Sequence, residues 1–228
     1  MDLQTLREEH ICYAIDRQFL LSDLIEELPW NYDVSTGVLS FGDRYAFQAE
    51  ILGSEADEDA TWLWSWANEK SGLPPERIQA ASKMKAWGTE ENIPQLKEGC
   101  LPLEKIEGHT LSMIAVGAKL GQAYYRGPHD SGAIFLLIVE QQMPWKVEND
   151  LQRISTIFPQ VISNMVIHNH QNALQHYLKH YDLKSEVTED TLLVRQDGQI
   201  VLKATFDESH RLQNIKLSID GNSQLSES

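Results

Sequence analysis

Gln48 and Glu50 stand two positions apart in the run Phe47-Gln48-Ala49-Glu50-Ile51-Leu52-Gly53, and the chain then passes through an acidic stretch into Thr61-Trp62-Leu63-Trp64-Ser65-Trp66-Ala67-Asn68. The two runs read as the arms of a β-hairpin. Side chains alternate along a strand, so Trp62, Trp64 and Trp66 share one face of the second arm, and Gln48 and Glu50 share one face of the first. Burial is able to raise a carboxylate's pKa and so make it an acid or base. Aromatic walls carrying a few polar groups suit an apolar ring or a sugar-like ligand. The candidate binding residues are therefore Gln48, Glu50, Trp62, Trp64 and Trp66. A polar outer face accounts for Gln48 and Glu50 just as simply, and Asp57, Glu58 and Asp59 read as a solvated hairpin tip.

Four histidines, His168, His170, His176 and His180, invite a metal reading, because His176 and His180 at i and i+4 share one helix face. No His-Glu-x-x-His run is present, and no cysteine lies near enough to complete a ligand spacing. Structural or solvent-facing histidines are expected, with no metal. His10 falls on an apolar helix stripe and reads as a hydrogen-bonded core residue. The chain also lacks Gly-x-Ser-x-Gly, a phosphate-binding loop and a dinucleotide fingerprint, and neither Cys12 nor Cys100 has a catalytic sequence context. No catalytic residue and no cofactor are assigned, so the reading leans away from an enzyme.

Composition narrows the partners. The 228 residues carry a net charge of −15, with 42% hydrophobic and 23% charged residues, which describes a folded chain able to bury a sizeable core. Nucleic-acid binding needs Lys and Arg to displace counterions from phosphates, and no basic cluster is present. A basic protein partner would be attracted instead. The longest strongly apolar run, Ala133 to Val139, is far short of the roughly 20 residues a membrane-spanning helix needs. No secretory signal is legible, and two cysteines make no disulfide framework, so a reduced cytoplasm is expected.

The elements that must position these residues follow from periodicity. Leu3, Leu6, His10, Tyr13, Leu20, Leu21, Leu24 and Leu28 predict an amphipathic helix over 2–28, ended by Pro29. Short strands are expected at 30–34 and 38–41, a helix over about 75–87, and a structured loop over 92–109. Thr110 is placed as the cap of a helix through Leu120. A second hairpin pairs 123–126 with 133–140, whose second strand is apolar on both faces and therefore central. Residues 147–181 are helical in pattern, kinked or divided at Pro159, with Ile162, Met165, Val166, Leu174, Tyr177 and Tyr181 inward. Three strands follow at 191–195, 200–206 and 212–219.

The run Thr61 to Asn68, with Phe47-Gln48 and Leu52-Gly53 ahead of it, resembles the signature of an uncharacterised bacterial family known as a domain of unknown function, over residues 1 to about 180. That resemblance implies an α+β fold and a bacterial cytoplasmic setting, and transfers no catalytic residues. The expected fold class is α+β, an antiparallel sheet of about six strands backed by helices with a C-terminal three-stranded β-meander. Its expected divisions are a core domain at 1–182, a meander extension at 183–220 and a disordered tail at 221–228. The expected function is a non-enzymatic acidic protein-binding module, an immunity or antitoxin-like protein facing a basic partner being one version. A small-ligand-binding protein or enzyme with a tryptophan-lined pocket is the alternative. Neither nucleic acid nor membrane is expected as a partner, and oligomeric state stays open.

Overall fold

The structure, a computed structural model, describes residues 2–145 and 150–218. The expected tail at 221–228 lies outside the described residues, as do Ile219 and positions 147–149 of the expected helix. By internal contacts the chain forms two units, Met1–Arg7 with Ala14–Trp145, and Glu8–Tyr13 with Lys146–Ser228.

Helix α1 (Leu3–Ile25), which belongs to the first unit except for Glu8–Tyr13, begins where the Asp2 carboxylate accepts the Thr5 N–H at 2.8 Å, and ends at Glu26, whose φ of 47° leaves the helical region. Strands β1 (Trp30–Asp33), β2 (Val38–Phe41), β3 (Tyr45–Ala56) and β4 (Thr61–Trp64) follow, then α2 (Gln79–Glu90), α3 (Pro94–Lys97), β5 (Cys100–Pro102), α4 (Gly108–Gly117), β6 (Ala123–His129) and β7 (Gly132–Ile138). They make a seven-stranded antiparallel sheet in the order β1-β2-β3-β4-β5, with β7 also pairing β3 and β6 pairing β7. The expected α+β class holds, with seven strands in this sheet where about six were expected.

Strand β3 organises the sheet. It pairs with β2 through 45–48, with β4 through 53–56 and with β7 through 49–56. One sheet face buries Leu39, Phe41, Phe47, Ala49, Ile51, Leu136 and Ile138 against Leu21 and Ile25 of α1. The β6 edge is covered by Gln18, whose amide donates to the Tyr124 carbonyl at 2.9 Å while its Oε1 accepts the Tyr124 N–H at 3.0 Å. That pairing removes a template for edge-to-edge association.

Three local expectations are corrected. The strand of 61–68 stops at Trp64, and Ser65–Ala67 turn into a 3-10 helix. Thr110 lies inside α4, which starts at Gly108 after Glu107. The stretch 92–109, expected as a structured loop with one short strand, has that strand as β5 and also a helical turn, α3.

The second unit holds α5 (Asp150–Asn164), α6 (His170–His180), β8 (Ser185–Val187), β9 (Thr191–Gln196), β10 (Gln199–Phe206) and β11 (Leu212–Leu217). Its sheet runs β11-β10-β9-β8, so the short β8 joins the expected meander as a fourth strand. Pro159 sits within α5, and the helical stretch divides at 165–169 instead. Val166 is 69% exposed rather than inward, and Val161 and Ile167 take the buried places beside it. Leu192, Val194, Leu202, Ala204 and Phe206 are buried on the strands, and Leu174, Tyr177 and Leu178 on α6. Among the described residues no helix is long and apolar enough to cross a membrane.

Candidate functional site

A β-bulge decides what faces the helices of the first unit. Ile51 pairs with Leu136 and Gly53 with Phe135, leaving Leu52 as an extra residue in β3. The extra residue reverses the alternation, so Glu50, opposite Leu137, and Glu55, opposite Ala133, fall on the same face. Trp62 lies opposite Glu55, and Trp64 opposite Gly53, on that face as well.

Trp62 and Trp64 are fully buried there. Their rings meet edge to face at 5.5 Å, and Trp62 meets Phe135 edge to face at 5.3 Å. The Trp64 indole N–H donates to the Gln95 carbonyl at 3.0 Å. Glycines admit the rings: a Cβ at Gly53 would overlap Trp62, and one at Gly108 would come within 2.6 Å of both Phe135 and Trp62. Trp66 leaves the strand on the 3-10 turn, yet its half-buried ring stacks on Trp64 at 6.4 Å beneath the Lys85 ammonium at 4.1 Å. The three tryptophans therefore do cluster, although Ser65–Ala67 lack strand geometry.

The two β3 carboxylates each meet the start of a helix. Glu50 Oε2 accepts the Ala80 N–H at 2.6 Å in the first turn of α2. Glu55 Oε1 accepts the Gly108 N–H at 2.8 Å at the first residue of α4. Unpaired N–H groups and the helix dipole make such positions favourable for a negative charge. Neither helix has a side-chain cap from its own N-cap residue, so strand carboxylates supply what local sequence omits. Gln48 is exposed, with its carbonyl accepting the Val139 N–H at 2.9 Å.

Around Glu55 stand residues that periodicity does not single out. Glu55 Oε2 lies 3.5 Å from Arg126 Nε, and His109 Nδ1 lies 2.9 Å from the Tyr124 hydroxyl. Burial pushes the Tyr124 phenol well up, so it keeps its proton. Loss of hydration lowers the His109 pKa, with Glu55 pulling the other way. His109 is exposed at the start of α4, so this pair forms a polar rim. The one sequence signal for this group is the Gly108-His109-Thr110 helix start.

Near Glu50, Arg77 donates to the carbonyls of Val34 and Ser35, each at 3.1 Å, and its guanidinium fills the space over Gly37. Tyr32 donates to the Ala49 carbonyl at 3.1 Å, and burial pushes its pKa up to about 12 against the opposing charge of Arg77. These contacts fix the strand edge and leave Glu50 to α2.

The histidines of the second unit divide among different partners. His176 Nε2 is 3.7 Å from Glu9 Oε1, His168 Nδ1 is 2.6 Å from Glu8 Oε1, and His180 stacks on Tyr13 at 4.1 Å. His170 Nδ1 accepts the Leu212 N–H at 3.0 Å. Among the described residues no group of three His, Cys, Asp or Glu could hold a metal ion.

Neither the curated proteins nor the solved structures give a match to this chain. The matching family model covers residues 4–141, which take in all seven strands of the first sheet together with Glu50, Glu55, His109, Tyr124 and Arg126. The chain belongs to that family, described as "Family of unknown function (DUF6882)".

Proposed function

We propose that the chain is a non-enzymatic protein-binding module that docks a basic partner on the acidic end of its seven-stranded sheet. The observation that carries this reading is the meeting of three turns. Asp57 N–H donates to the Ser131 carbonyl at 3.0 Å, and Leu103 N–H donates to the Ala60 carbonyl at 2.8 Å. Together they gather exposed Asp57, Glu58, Asp59, Glu104, Glu107 and Asp130, with Lys105 among them. Such a field speeds encounter with a cationic surface and weakens as salt rises. An immunity or antitoxin-like protein in a bacterial cytoplasm is one concrete form of this function.

Affinity capture from native lysate tests the reading when run beside a chain carrying Asp57→Lys, Glu58→Lys and Asp59→Lys. A stoichiometric basic protein should be retained by the unmodified chain, released by salt, and lost from the reversed one. No such protein, or one that the reversed chain holds equally well, contradicts the reading.

The ligand-binding alternative rests on Gln48, Glu50 and Trp66, which keep exposed surface, whereas Trp62 and Trp64 have none. A sugar or aromatic ligand there should change tryptophan fluorescence in the unmodified chain and leave a Trp66→Phe variant unchanged.

A further inference from the structure

The C-terminal unit contains a cluster of ionisable rings that the proposed docking role leaves unused. It includes one turn and a half of α1, Glu8–Tyr13, against α6. From α1, Tyr13 stacks on His180 at 4.1 Å with 10° between the planes and meets Tyr181 edge to face at 5.9 Å. His10 meets the same His180 ring at 5.8 Å, and its Nδ1 is buried without a hydrogen-bond partner among the described residues. Glu9 reaches His176 at 3.7 Å, and Glu8 holds the start of α6 through His168 Nδ1 at 2.6 Å and the His168 N–H at 3.1 Å.

We propose that this seam is an acid-sensitive latch, in which protonation of His10 beside His176 and His180 releases the Glu8–Tyr13 segment from α6. The charges around it set the order of events. His176 faces Glu9, and its ring lies near enough to His10 to oppose a positive charge there. His168 also lies against a carboxylate, Glu8, and is 70% exposed. Among the described residues His10 has no carboxylate within salt-bridge distance, and it faces histidines, so its own protonation opposes the packed state. Burial, with the His176 charge adding to it, holds the His10 pKa down to about 4.

The sign follows directly. A histidine depressed in the packed state binds its proton more readily once released, so release is favoured as pH falls below the ordinary histidine value. Protection factors from amide hydrogen exchange in the full chain read the effect. Between pH 7.5 and pH 5 protection over 8–13 and 170–181 should fall about 30-fold, while β3 and β7 keep theirs. A His10→Leu variant should keep its protection over that range. Should that variant fold poorly, the ring resonances of His10 in the unmodified chain decide instead, and His10 must titrate well below the ordinary histidine value. Unchanged protection at pH 5, an equal loss in His10→Leu, or a His10 that titrates at the ordinary histidine value would each overturn the latch.

Discussion

The two units solve the problem of covering large rings in different ways. In the first, Trp62, Trp64 and Phe135 form an interior of indole and phenyl surface, with Glu50 and Glu55 at the helix starts and the His109–Tyr124 pair packed on Phe135. In the second, His10, Tyr13, His180 and Tyr181 pack ring against ring, with His176 facing Glu9 beside them and two glutamates from α1 at the border. An indole interior has no protonation state to lose, whereas an imidazole seam does. Stability of the first unit should therefore respond to volume, and that of the second to pH.

The largest break in that contrast comes from removing a ring. Trp62→Ala should cost about 3–5 kcal/mol in the first unit, because the lost burial and the remaining cavity add together. Denaturant unfolding with exchange read separately over β3 and β10 checks it, and the β10 amides should move little. Next in size is the pH response of the second unit. His10, held down to about 4 when folded, contributes stability that is complete above the ordinary histidine value and lost as pH falls from about 6.5 to 4. The full loss is about 3 kcal/mol, and His10→Leu should remove the pH dependence.

Adding volume sharpens the first half of the comparison. Gly53→Ala should cost about 1–3 kcal/mol, since its Cβ would overlap Trp62 and the Leu63 carbonyl lies 2.7 Å away. The smallest effects belong to the helix starts. Glu50→Gln and Glu55→Gln should each cost about 1 kcal/mol, and the two should add, because they serve α2 and α4 separately. A double variant much worse than that sum would mean the two helices respond as one body.

Much of this architecture is legible in the sequence because β3, β4 and β7 carry clear runs of apolar residues bounded by turns. The tryptophan cluster is legible for the same reason, but its depth is not: Trp62 and Trp64 vanish into the interior only because Gly53 and Gly108 let two elements approach. The bulge at Leu52 leaves no mark, since Ile51-Leu52-Gly53 reads as an unbroken strand, and with it the shared face of Glu50 and Glu55 is hidden. Thr110 is a locally sensible cap, yet the α4 start is satisfied by Glu55 from 53 positions away. His10 and His180 meet across most of the chain, and β8 has only three residues, too short for a period to register. The family match ends at residue 141, before the described residues of α5 begin, so the α6 side of the histidine seam lies outside the matched region.

Trp62 and Trp64 are interior surface rather than the wall of a ligand site, and fluorine NMR of the 5-fluorotryptophan-labelled chain tests this most directly. With resonances assigned by single Trp→Phe variants, Trp62 and Trp64 should show no shift between H2O and D2O, and Trp66 should show a partial one. A full solvent isotope shift at Trp62 or Trp64 would contradict the account and return those residues to the ligand-binding alternative.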